Sequence, residues 1–225
     1  NPPIDPYREN LVMSLMSFVG RERNLLEETP EHCRQLKLSH PVLTNDDMER
    51  LRAAKLSNLK VGTLPMLFDA KVGAGALERS LEELATAAEK MIDAGHSLVI
   101  LSDRDVSPDR APIPALLAMA AVHHHLIRKG KRQLAGIILE TGEAREVQHF
   151  ACLVGYGANG INPYLAFETL ADLKNRGHLS ATLSIEAAVE NYITAIKKGL
   201  LKVMSKMGIS TIRSYRAAQI FEAVG

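Results

Sequence analysis

The feature that most constrains this chain is Leu98-Val99-Ile100-Leu101, four apolar residues with no polar alternation. A run of that kind suits a strand covered on both faces, as in a parallel sheet between layers. Before it, residues 80–94 place Leu81, Leu84, Ala88, Met91 and Ile92 on one helical stripe, with Gly95 as a stop. After it, 112–129 predicts a helix with a Pro-rich entry, ending before Gly130. The pattern then repeats: a strand over Leu134–Leu139, a helix over 143–154, a weaker strand over Gly157–Ile161 and a helix near 164–175. Strand–helix alternation implies right-handed crossovers, so the expected fold is α/β with a mostly parallel sheet. Ser102-Asp103-Arg104, Glu140-Thr141-Gly142 and Asn162-Pro163 fall just past the strands. The carboxyl ends of parallel strands are where such folds place their sites. Taken singly, each trio reads first as turn and cap chemistry.

The flanks are less regular. Pro6 to Phe18 predicts a helix with Leu11, Leu15 and Phe18 on its apolar face. Residues 24–45, with Pro30 and Pro41, read as extended connections, and 56–75, with Gly62, Pro65, Gly73 and Gly75, as loops around one short strand. From Ser184 a helix of about 22 residues runs through Met207, carrying Lys197, Lys198, Lys202 and Lys206 on one side. Residues 208–212 fit a strand and 213–224 a last helix closed by Gly225. A domain boundary is placed near 178–184, dividing the chain into 1–180 and 181–225.

Charge and cysteine content exclude several functions. Lys and Arg total 27 against 26 Asp and Glu, intermixed along the chain, so no field favours nucleic acid or anionic lipid. Cys33 and Cys152 lack a Cys-x-x-Cys spacing, which leaves a disulfide framework, a thiolate zinc site or an iron–sulfur cluster unsupported here. No apolar run approaches the ~20 residues of a membrane helix, and no leader is evident, so a cytoplasmic setting is expected. The first residue is Asn1 and the last helix has nothing after it to pack on, which fits an excised piece of a longer protein.

Two motifs resemble sites and read better as structure. In His123-His124-His125, helical neighbours lie about 100° apart, so three adjacent rings do not converge on one metal ion. Gly155-Tyr156-Gly157-Ala158-Asn159-Gly160 contains Gly-x-Gly-x-x-Gly, but a helix precedes it and a strand follows. A dinucleotide fingerprint needs the reverse order; a helix-to-strand turn with left-handed glycines is expected instead. Glu140, Glu143, Arg145, Glu146 and His149 cluster at a strand end and helix start, where carboxylates favour the helix dipole. Asp103, Arg104, Asp105, Asp109 and Arg110 read as a surface loop laced with ion pairs.

Five strings together resemble the glutamate synthase large chain: NPPIDPYRENLVMSL (1–15), LSDRDVSPDRAPIPALLAMAAVHHHLI (101–127), ETGEAREVQHF (140–150), GYGANGINPYLAFETL (155–170) and IEAAVENYITAIKKGLLKVMSKMGISTIRSYRAAQIFEAVG (185–225). The resemblance spans almost the whole chain. Ala217 stands where the family has Gly in SYRGAQIFE, and Gln148 where it has His in EVHHF.

The resemblance implies the family's central domain for 1–180, then the opening of its FMN-binding synthase domain for 181–225, the start of a flavin-binding barrel. In the family, an amidotransferase domain frees ammonia from glutamine. The ammonia passes through an internal tunnel and combines with 2-oxoglutarate, and FMN reduces the iminoglutarate to glutamate. The implied role here is a scaffold and tunnel wall, inactive alone, with no catalytic or metal-ligating residue of its own. FMN and an iron–sulfur cluster are expected in the parent enzyme and neither on this segment. Its partners are then the amidotransferase and FMN domains and an electron-donating small subunit or ferredoxin. By the same resemblance Met13 is the candidate contact to 2-oxoglutarate or the flavin, and Met207, Gly208, Ile209 and Ser210 the candidate flavin contacts. The 181–225 helices expose apolar stripes (Val189, Tyr192, Ile193 and Ile196; Ile220, Phe221 and Val224), so self-association is expected. Two other readings stay open: a separately encoded α/β binding or regulatory module acting with the other domains, and a flavin half-barrel completed by dimerisation.

Overall fold

The computed structural model describes residues 1–225 apart from 55–58, 74, 223 and 225. In chain order its elements are α1 (Glu9–Val12), β1 (Ser17–Val19), β2 (Leu36–Leu38), α2 (Asn45–Ala53), β3 (Val61–Pro65), β4 (Leu67–Asp69), α3 (Ala76–Asp93), β5 (Leu98–Ser102), β6 (Arg110–Pro112), α4 (Ala115–Arg128), β7 (Gly136–Glu140), α5 (Val147–Gly155), β8 (Gly160–Asn162), α6 (Tyr164–Asn175), α7 (Ile185–Lys206) and α8 (Ile212–Tyr215). Short 3-10 turns occupy Pro30–Cys33 and Arg132–Leu134.

β3, β5, β7 and β8 form a parallel sheet in that order. The α/β fold expected from the alternating pattern is therefore present. Every residue of β5 and β7 is buried, because the two faces are both covered. Val99, Leu101, Ile137 and Leu139 point into the larger core beside α3, α4, α5 and α7. Leu98, Ile100 and Ile138 point into a smaller core closed by Val19, Leu38, Leu43, Met48 and Leu51 from β1, β2 and α2. Beyond β8 the chain supplies a single parallel bridge, Val42 to Ile161, with Leu43 N donating to Ile161 O at 2.8 Å.

α7 begins at Ser184, whose side chain accepts from Ala187 N, and runs 22 residues, as the cap and stripe predict. It does not wait for an absent cover. Ile193, Ile196, Leu200 and Met204 belong to the core shared with the sheet. Tyr192 packs edge-on against Phe150 and Phe167 and donates to Arg145 O at 2.9 Å. A Cβ on Gly199 would stand 2.3 Å from Val147, which shows how closely α7 approaches α5. The stripe offered as the ground for self-association is thus covered within the chain, while Val224 remains 95% exposed.

Several local expectations are overturned. The helix over Pro6–Phe18 shrinks to the single turn α1, with Leu11 85% exposed. Ser14 is drawn into extended pairing with residues 210–212, through Ser14 N to Ser210 O (2.8 Å) and Ile212 N to Ser14 O (3.0 Å). That pairing is one bridge, Ser14 to Thr211, so 208–212 is not a strand. The last helix stops at Tyr215 because Ala217 and Gln219 take left-handed φ values of 60° and 54°. Ala217 N instead caps Gly155 O at 2.9 Å. α5 starts four residues late, since Glu143 is used elsewhere and Glu146 is the N-cap. Residues 24–45 hold a 3-10 turn and β2, and α2 follows behind a Thr44–Asp47 capping box. The loop reading of 56–75 falls partly on residues outside those described, and the rest carries two strands, β3 and β4. Gly225 also lies outside the described residues.

Candidate functional site

Register places the three polar strand ends side by side. Pro65, Ser102, Glu140 and Asn162 are successive partners across the carboxyl edge of the sheet. Glu140, 1% exposed, is the hub. Its Oε2 accepts from Arg52 Nη2 and Ser102 Oγ, each at 2.5 Å, and its Oε1 accepts from Arg104 Nε at 2.9 Å. Burial raises the Glu140 carboxyl, but the bonds from Arg52, Ser102 and Arg104 outweigh it and hold it below the usual carboxylate range. Asp103, also buried, accepts from Thr141 Oγ1 at 2.6 Å and from Gly142 N at 3.1 Å. The Arg104 guanidinium lies 4.1 Å over the Tyr164 ring, and burial together with the Asp103 carboxylate raises the Tyr164 phenol above its ordinary value. Asn162 Nδ2 donates to Leu43 O (2.9 Å) and Asn45 Oδ1 (3.0 Å), tying the edge to α2.

This edge is an interlocked network: the Glu140 carboxylate meets two guanidiniums, and the buried Asp103 carboxylate accepts from a hydroxyl and a backbone amide. The neighbouring helix starts are served in the same way. Glu143 Oε2 accepts from Ala115 N at 3.0 Å, capping α4, and His149 Nδ1 accepts from Glu146 N at 3.2 Å in the α5 capping box. Arg52 escaped the sequence reading because α2 did, although Thr44-x-x-Asp47 before Met48 and Leu51 is a legible helix start. The 103–110 loop is only partly the surface ion-pair lattice expected: Asp109 pairs with Lys71, whereas Asp103 is buried.

The expected substrate and flavin contacts come together, since the Ser14–Thr211 bridge sets Met13 beside Ile209 and Ser210. Met13 is buried in the main core, and Met207 is 39% exposed. At Gly208, φ is +66° and a Cβ would stand 2.4 Å from Pro2 O and 2.6 Å from the Asn1 side chain. The close approach at that glycine is therefore made by the chain's own first residues, with Asn1 Nδ2 donating to Gly208 O at 3.3 Å. Ile4 N bonds Ser205 O (2.9 Å) and Glu9 pairs with Lys202 (2.9 Å), so residues 1–14 strap α7 along its end.

The rejected motifs resolve as geometry. His123 is buried and accepts from Arg132 Nε (2.9 Å), His125 meets Glu89 (2.7 Å), and the exposed His124 packs edge-on against His123 with centroids 5.2 Å apart, so the three rings do not converge on one point. The Gly-x-Gly-x-x-Gly segment runs from the end of α5 to the start of β8. Only its middle glycine, Gly157, has a positive φ. Among the described residues no helix is long and apolar enough to cross a membrane.

A doubly covered parallel sheet whose carboxyl edge is crossed by its own ion pairs defines an α/β domain. Comparison with known proteins gives its family: the glutamate synthase central domain matches residues 1–225, and the chain belongs to that family. It is 50% identical over 225 residues to the glutamate synthase [NADPH] large chain of Bacillus subtilis, covering 100% of this chain and 14% of that protein. It is 44% identical over 237 residues to the chloroplastic ferredoxin-dependent glutamate synthase of Spinacia oleracea, again 100% of this chain and 14% of the other. The chain thus spans about a seventh of the length of these relatives. Among solved structures, the flavin-binding domain of baker's yeast flavocytochrome b2 aligns with a TM-score of 0.46 at 18% identity, over 83% of this chain and 42% of that one, too distant a likeness to carry an argument.

Proposed function

We propose that this chain serves as the scaffold between the amidotransferase and synthase sites of a glutamate synthase and lines part of the ammonia passage. The parent reaction is the conversion of glutamine, 2-oxoglutarate and reductant to two glutamates in the cytoplasm. FMN and the iron–sulfur cluster sit on other segments, and the reductant is a pyridine nucleotide or ferredoxin. The observation that supports this reading is the closed carboxyl edge: in a family member matched end to end, the usual location for chemistry is filled by Arg52, Ser102, Arg104 and Glu140 locking one another. A segment built so holds shape. At the junction of 13–14 with 207–211, Met13 and the Met207–Ser210 backbone are proposed to face 2-oxoglutarate and the flavin. On this reading residues 181–225 open the FMN domain while sharing one core with 1–180.

The test uses the complete large chain. Ser210→Trp is expected to raise the ammonia lost to solution per glutamine hydrolysed several-fold, with glutamine hydrolysis itself preserved, because a dry conduit is breached. An unchanged ratio with an unchanged flavin spectrum overturns the placement of this junction. The isolated chain, purified with FMN present, is expected to remain colourless; a yellow protein with stoichiometric flavin overturns the scaffold reading.

A further inference from the structure

The amino-terminal edge of the sheet holds two largely buried guanidiniums whose hydrogen bonds go to neutral acceptors. Arg132, in the turn before β7, gives Nη1 to Ala135 O (2.9 Å), Nη2 to Gly157 O (2.7 Å) and Asn159 Oδ1 (3.1 Å), and Nε to His123 Nδ1 (2.9 Å). All four acceptors are neutral. Arg216, just past α8, gives Nε to Ala158 O at 3.2 Å. Its Nη2 is buried and has no hydrogen-bond partner among the described residues. Both guanidiniums line a cavity of about 230 Å3, with His123, Asn159, Arg213 and Glu22 on its wall. Glu22 is the carboxylate there, and Arg213 Nη2 already holds it at 3.0 Å. Burial first, then repulsion from Arg216 on Arg132 and from Arg213 on Arg216, lowers both arginines to about 10 against the opposing pull of Glu22. They stay charged at neutral pH, while His123, lowered to about 4 by burial and by Arg132, stays neutral.

We propose that this cavity is a binding site for a small oxyanion, a phosphate or carboxylate group held in the field of Arg132 and Arg216, toward which Arg216 turns its unused Nη2 on binding. A planar guanidinium with an unused N–H is the donor such anions take best. An unpaired buried charge is costly, and an anion removes that cost. The volume admits a phosphate or a short carboxylate. The site lies at the opposite edge of the sheet from the Glu140 network and is independent of the role proposed above.

The isolated chain, labelled with nitrogen-15, would be titrated with inorganic phosphate and separately with acetate. Ionic strength is held constant with chloride, and the arginine Nε–H signals are followed. A saturable shift of Arg216 and Arg132 is expected with at least one of the two anions. Saturation by phosphate alone marks a phosphate site, and by acetate alone a carboxylate site. Arg216→Gln is expected to weaken binding about ten-fold or more, as loss of a charged hydrogen bond does. Glu22→Gln is expected to tighten it about two- to three-fold by removing the competing carboxylate. Absence of saturation by either anion, or wild-type affinity in Arg216→Gln, overturns the proposal. If Arg216→Gln does not fold, unchanged affinity in Glu22→Gln overturns it instead.

Discussion

At the carboxyl edge of the sheet a buried anion, Glu140, is surrounded by two guanidiniums and a hydroxyl. At the amino edge two nearly buried guanidiniums face neutral oxygens and each other. Both edges bury charge beside the same four strands. In the first, complementary groups neutralise the charge within the chain. In the second the charge is left over, which makes the edge dependent on something that is not a protein side chain. Burial of a charged residue therefore does not by itself mark a site. What separates structure from binding is whether the complement is already present.

The sharpest way to break this contrast is to remove the hub. Glu140→Gln keeps the volume and discards the charge, leaving Arg52 and Arg104 facing an amide. A fully buried pair broken this way loses ~3–5 kcal/mol. Arg52 and Arg104 both reach water, with side chains 37% exposed, so the expected loss is nearer 2–3 kcal/mol in urea unfolding. A loss under about 0.5 kcal/mol, the scale of an ordinary surface substitution, would mean that the carboxyl edge is not held by this network.

A smaller effect is expected from acid at the opposite edge. His123 titrates near 4 in the fold against 6.5 unfolded. Its folded pKa is depressed, so the unfolded chain binds its proton first. The stability this group contributes is complete above pH 6.5 and falls as pH drops from 6.5 towards 4. A slope of about 1 kcal/mol per pH unit is expected in that window. His40, also lowered by burial and by Lys197, adds to it. His123→Gln, which still offers Arg132 an acceptor, should remove the His123 share of the slope. Equal slopes in both proteins would mean that His123 does not sense the Arg132 and Arg216 charges. Glu140 itself is lost only at lower pH, below the ordinary carboxylate range, which keeps the two edges separable.

The sheet was legible because two-sided burial writes itself as unbroken apolar runs at 98–101 and 136–139, and α7 because Ser184 and a long stripe announce it. The carboxyl edge was half legible. Residues just past strands were visible as a set, but Arg52 arrives 88 positions before its partner Glu140, and no local spacing encodes that meeting. The amino edge was not legible at all. Arg132 and Arg216 each sit in an unremarkable turn, and only the fold brings them to one cavity. The Pro6–Phe18 helix failed for a related reason: Ser14 finds a long-range partner in 210–212, and a tertiary hydrogen bond outweighs local propensity.

The smallest expected effect falls at Ala217, which the sequence reading placed inside a helix. Ala217 replaces a glycine of the family pattern, and in the fold it has φ +60° on the wall of the arginine cavity. An L-residue with a Cβ costs roughly 1–2 kcal/mol in that region, and glycine costs nothing there beyond its extra freedom when unfolded. The two terms oppose each other, so Ala217→Gly should stabilise the chain by about 0.5–1 kcal/mol. The gain belongs to the amino edge alone. A tight segment at 216–219 holds Arg216 with its Nη2 unpaired, and relieving it does not touch Glu140. The double variant Ala217→Gly with Glu140→Gln should therefore be additive, as distant sites usually are to within about 0.3–0.5 kcal/mol. Destabilisation by Ala217→Gly would show that the left-handed turn is not strained. Strong non-additivity would show that the two edges answer to one network, and the contrast between them would fall.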